Sequence, residues 1–123
     1  MPKIMVVEDE KDLLTIVQRH LEKWGFTIAG FQDPVKALES FKENPYEFSL
    51  ILSDVRMPVL DGIHLAKQIL EIRADAKITM MTAFDIDDKI CSDLRSIRKE
   101  DVIHKPFRLA AICEAVRKQL AAS

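Results

Sequence analysis

The chain predicts an α/β protein built on a parallel sheet with helices on both faces. Two observations support this: five short apolar runs alternate with amphipathic segments along all 123 residues, and each run is continuous rather than alternating in hydrophobicity. A third is negative, since no Ser/Gly-rich linker, low-complexity tract or internal repeat interrupts the alternation. The expectation is one domain over residues 1–123, long enough to bury roughly two-thirds of the unfolded surface but too short for two ordinary domains.

The first strand is expected over residues 3–7, where Ile4-Met5-Val6-Val7 is uninterrupted. Leu13, Leu14, Val17, Leu21 and Trp24 then recur at helical spacing until Gly25 ends the pattern. Residues 26–31 make the second strand. Asp33 can cap a helix with Pro34 at its first position, Leu38 and Phe41 supply its buried side, and Asn44-Pro45 stops it. The third strand is expected over 48–53. Gly62 permits a tight start to a helix with Leu65, Ala66, Ile69 and Ile72 on one face, and residues 77–82 form the fourth strand. Ile86, Ile90, Leu94 and Ile97 mark another helix, residues 101–104 a short fifth strand, and Leu109, Ile112, Cys113, Val116 and Leu120 the final helix.

Composition excludes several classes. A hydrophobic content of 48% excludes a disordered chain, and the apolar runs are too short to span a membrane. A formal charge of −2, without a basic run or interleaved aromatics, argues against direct nucleic-acid binding. Met1-Pro2-Lys3 leads straight into an apolar strand followed by acids, unlike a secretory signal, so the expected location is the cytoplasm. Cys91 and Cys113 stand alone and read as reduced thiols.

Right-handed crossovers bring every strand's carboxyl end to one edge of the sheet, where ligands bind in such folds. Glu8 and Asp9, Asp54, Thr82 and Lys105 all fall at those ends. Crowded carboxylates need a hard cation to stay ionised, and oxygen donors without His or Cys suit Mg²⁺ better than zinc. Asp9 and Asp54 are the expected direct ligands, with Glu8 acting through water or by orienting Asp9. A hydroxyl at Thr82 and an ammonium at Lys105 are phosphate-oxygen partners, which makes Asp54 a candidate nucleophile for phosphoryl transfer. His20, His64 and His104 are isolated and read as packing or surface residues; Asp85, Asp87 and Asp88 read as solvated acids at a helix start. Asp61-Gly62 reads as turn chemistry rather than catalysis.

Over essentially its whole length the chain resembles the receiver domain of two-component response regulators. The resemblance rests on Glu8-Asp9, on Asp54-x-x-Met57-Pro58-x-x-Asp61-Gly62, on Thr82-Ala83 and on Lys105-Pro106-Phe107, in the family's order and spacing. It implies a flavodoxin-like (βα)5 fold with strand order 2-1-3-4-5, a cis Lys105-Pro106 bond, and Asp54 as phosphoacceptor. It further implies Mg²⁺ held by Glu8, Asp9, Asp54 and the backbone carbonyl of Arg56, with Thr82 and Lys105 on the phosphoryl group. The implied donor is a phosphohistidine on a sensor histidine kinase or histidine phosphotransfer protein, and the implied recipient of the signal is a downstream output protein or domain. Such a receiver switches partner binding and catalyses its own phosphorylation and slow dephosphorylation without turning over an external substrate; no output domain is expected within the chain.

The sequence departs from the family at several positions. Val102 stands where Tyr or Phe usually accompanies the threonine switch, Ile97-Arg98-Lys99-Glu100 replaces a small Gly-Ala pair, and Arg56 and Phe84 place bulky groups at positions that influence water access, predicting slow hydrolysis. Competing readings are a Mg²⁺-dependent phosphohydrolase, which usually needs a second acid where Arg56 stands, a pseudo-receiver that signals without phosphorylation, and a flavin carrier, disfavoured by the acidic cluster and by 7% aromatic content.

Overall fold

A computed structural model describes residues 2–83, 97 and 101–121. The elements run β1 (Lys3–Val7), α1 (Lys11–Lys23), β2 (Thr27–Phe31), α2 (Pro34–Glu43), β3 (Leu50–Asp54), α3 (Gly62–Ile72), β4 (Ile78–Thr82), β5 (Ile103–His104) and α4 (Leu109–Ala121). All five strands pair in parallel in the order β2-β1-β3-β4-β5. The flavodoxin-like expectation is therefore met. The helix expected around Ile86, Ile90 and Leu94, together with Phe84, Asp85, Asp87, Asp88 and Cys91, lies outside the described residues.

The inner strands are apolar on both sides because helices cover both faces. On one face, Met5, Val7, Ile51 and Met80 pack with Ala37, Leu38 and Phe41 of α2 and Leu65, Ala66 and Ile69 of α3. On the other, Ile4, Val6, Leu50, Leu52 and Met81 pack with Leu14, Val17 and Leu21 of α1 and Ile112 and Val116 of α4. The helix signals act as their chemistry dictates. Asp33 accepts a hydrogen bond from the Val35 N–H at 2.9 Å with Pro34 opening α2, and Gly25, at φ 95°, supplies the left-handed residue after α1.

Several boundaries differ from expectation. β3 begins two residues later than expected and includes Asp54 as its last residue, because Phe48 leaves the ladder to stack on Phe41 at 6.4 Å between ring centres. β5 covers only 103–104 of the expected 101–104, and β2 starts at Thr27. Trp24 is 53% exposed instead of completing the buried stripe of α1; it lies under the Arg117 guanidinium, 4.5 Å from the ring centre, with His20 edge-on. Ile72 is likewise partly exposed at the end of α3. Cys113 is a buried free thiol, as expected.

Candidate functional site

Parallel pairing sets the site's floor. Val7 pairs with Ser53 and Asp54 with Met81, so Glu8, Asp54 and Thr82 reach the same edge from three adjacent strands. All three are buried at the level of the core. Burying such polar groups is costly unless they are satisfied or serve another end.

The partners converge on Lys105, just beyond β5. Its Nζ donates to Glu8 Oε1 at 2.7 Å and to Asp54 Oδ2 at 3.2 Å. The other oxygen of Glu8 accepts the Glu10 N–H at 3.1 Å. Asp9 sits half-buried in the turn before α1, and one ligand atom from each of Glu8, Asp9 and Asp54 lies within 4.8 Å of the others. The peptide between Lys105 and Pro106 is cis, and the Lys105 N–H donates to the Thr82 carbonyl at 2.8 Å, which fixes where the lysine leaves the sheet.

The electrostatics follow from burial. Desolvation pushes Glu8 from 4.5 up to about 7, the nearby Asp54 charge adds to the rise, and the Lys105 and Glu10 hydrogen bonds only partly oppose it. Burial alone would lower the Lys105 ammonium, but the hydrogen bond and charge of Glu8, followed by those of Asp54, outweigh it and hold Lys105 above its ordinary value. A donor set of three carboxylates, hard oxygens without His or Cys, fits Mg²⁺, and such a cation would favour the ionised form of Glu8.

The loop after Asp54 is shaped by close backbone approach. A Cβ on Gly62 would lie 2.1 Å from the Asp54 carbonyl oxygen, and the Gly62 N–H donates to the Val55 carbonyl at 2.7 Å. Only glycine fits there. Asp61 caps α3 through the His64 N–H at 2.9 Å; although burial opposes it, the His64 backbone and ring hold its carboxyl below the usual range. The expectation that Asp61 serves the turn is met. Val59 adopts φ 71°, unusual for a β-branched residue, with its side chain in solvent. Arg56 lines a neighbouring open pocket of about 660 Å³ with Asp61 and Ile63, and Val102 is buried in the core.

Glu8, Asp9, Asp54 and Lys105 are thus brought together, and Thr82 ends the adjoining strand. The family pattern described as the response regulator receiver domain matches residues 4–117. The chain belongs to this family. The response regulator receiver protein CpdR of Brucella abortus is 35% identical over 123 residues, the full length of both chains. The transcriptional regulatory protein PrrA of Mycobacterium tuberculosis is 31% identical over 97% of this chain, which spans only 50% of that relative. Among solved structures, the response regulator TrrA of Thermotoga maritima in complex with Mg(2+)-BeF superposes with a TM-score of 0.79 at 28% identity, covering 97% of this chain and 99% of that one. The protein is a receiver domain of a signalling family, and no helix among its described residues is long and apolar enough to cross a membrane.

Two features beside these residues were not apparent as such in the sequence. Gly62 read as a helix start and, with Asp61, as turn chemistry, but not as the residue whose backbone passes against the Asp54 carbonyl. Gln32, whose Nε2 donates to the Asp9 carbonyl at 3.3 Å, carries no sequence signal.

Proposed function

We propose that residues 1–123 form one phosphoacceptor receiver in which Asp54 takes the phosphoryl group from a phosphohistidine of a sensor histidine kinase or histidine phosphotransfer protein. The observation that carries this reading is the position of Asp54, nearly buried at a strand end, with the Lys105 ammonium at 3.2 Å and the Glu8 and Asp9 oxygens beside it.

A carboxylate oxygen of Asp54 attacks phosphorus, an O–P bond forms as the P–N bond to the donor imidazole breaks, and the leaving imidazole takes up a proton. The Lys105 ammonium and the Thr82 hydroxyl donate to the phosphoryl oxygens, so charge developing there meets donors already in place. Glu8, Asp9, Asp54 and the Arg56 backbone carbonyl would hold Mg²⁺, which when bound neutralises charge between the carboxylates and the phosphoryl group. The receiver turns over no external substrate: it catalyses its own phosphorylation and slow loss of phosphate in the cytoplasm, and the phosphorylated form switches binding to an output protein or domain. Val102 stands where the family usually has an aromatic residue, so the switch takes a route to the surface other than the usual aromatic one.

Incubation with Mg²⁺ and acetyl phosphate tests the reading by whole-protein mass. A single phosphoryl gain is expected for the unsubstituted chain, and none for Asp54→Asn or with the metal chelated. No gain in the unsubstituted chain would favour a pseudo-receiver.

A further inference from the structure

We infer that Gln32 is a positioning residue for the cation site, acting through the backbone of Asp9; this rests on the proposed Mg²⁺ role. Glu8 is held by the Glu10 N–H and by Lys105, and Asp54 by the strand ladder. Asp9 has left β1 and has not yet joined α1. Its placement depends on the turn, and the turn is fastened to the end of β2 at two consecutive points. The Glu8 N–H donates to the Phe31 carbonyl at 3.0 Å, and the Gln32 amide nitrogen donates to the Asp9 carbonyl at 3.3 Å.

The fastening point is itself rigid. Phe31 is in register with Val7, and Asp33 caps α2 through Val35 with Pro34 following. Gln32 therefore projects from a corner fixed on both sides. Its side chain sets the orientation of the Asp9 peptide, and through it the carboxylate that must meet Glu8 and Asp54. Groups that orient a metal ligand without touching the metal contribute to affinity in this way. Gln32 is exposed, so the contact does little for the core.

Calorimetric titration of the full chain with Mg²⁺ tests the inference, using Gln32→Met, which keeps the reach and loses the donor, and Gln32→Ala. Both variants are expected to raise the Mg²⁺ dissociation constant by about threefold to tenfold. The melting temperature in chelator should stay at the unsubstituted value. With acetyl phosphate, the loss should appear as a higher half-saturating Mg²⁺ concentration and be overcome by excess Mg²⁺. An unchanged dissociation constant in both variants would overturn the positioning role while leaving the Mg²⁺ reading intact. A lower melting temperature in chelator with unchanged affinity would also overturn it, making Gln32 merely structural. Failure of the unsubstituted chain to bind Mg²⁺ would overturn the metal reading, and this inference with it.

Discussion

The two ends of the sheet each carry a lysine paired with a glutamate, and the pairs behave differently. At the amino end, Lys3 bonds Glu47 across the surface with side chains 34% and 35% exposed, its ammonium also lying over the Phe48 ring. At the carboxyl end, Lys105 bonds Glu8 with side chains 18% and 0% exposed, and the same ammonium reaches Asp54. The residue types are identical; only the environment differs. Water screens the first pair to a marginal contribution, whereas burial drives Glu8 up and leaves the second pair dependent on charges brought to it. The end proposed to react is the one at which charges were taken out of water.

The largest effect should come from disturbing the backbone that seals the carboxyl end. Gly62→Ala places a methyl against the Asp54 carbonyl and is expected to cost about 4 kcal/mol of stability. Urea unfolding checks this, and a cost comparable to an exposed helical Gly→Ala change would show that the loop yields freely. Removing the ammonium at each end tests the comparison itself. Lys105→Met should lose about 3 kcal/mol in chelator at pH 8, because two carboxylates lose their counter-charge, against less than about 1 kcal/mol for Lys3→Met. Equal losses would remove the distinction between the two ends.

A pH series in chelator follows from the direction of the Glu8 shift. Because the folded state holds the Glu8 proton more tightly than the unfolded chain, the contribution is complete below pH 4.5 and is lost as pH rises through about 7. The gap corresponds to about 3 kcal/mol at most, and saturating Mg²⁺ should offset the loss at pH 8. Glu8→Gln should flatten this part of the profile; an unchanged slope in that variant would assign the titration elsewhere. The smallest effect concerns Thr79, whose buried Oγ1 has no hydrogen-bond partner among the described residues. Thr79→Val should stabilise by about 1 kcal/mol without altering phosphorylation, since this buried polar group, unlike Glu8, serves no site.

Much of this was legible in the sequence. Short continuous apolar runs alternating with amphipathic segments suit a parallel sheet covered by helices, and parallel crossovers place the carboxyl ends of its strands together, so Glu8, Asp9, Asp54, Thr82 and Lys105 fall at one edge from sequence order alone. Asp33-Pro34 and Gly25 announced their caps because those signals are local. What escaped depends on contacts between distant segments. Phe48 continues the apolar run of β3, yet it stacks on Phe41 outside the ladder, and the strand starts two residues later than expected. Trp24 fits the periodicity of α1, but Arg117, from a helix at the other end of the chain, takes its ring face at the surface. Gln32 meets Asp9 only because β1 and β2 run in register, which composition does not encode.

The central claim is that burial and convergence make Asp54 the phosphoacceptor. Its most direct test is to phosphorylate the chain with acetyl phosphate and Mg²⁺, reduce the acyl phosphate with borohydride, and map the resulting homoserine by peptide mass. Homoserine at position 54 alone is the predicted result. Homoserine at another acid, with residue 54 recovered as unmodified aspartate, would contradict the account.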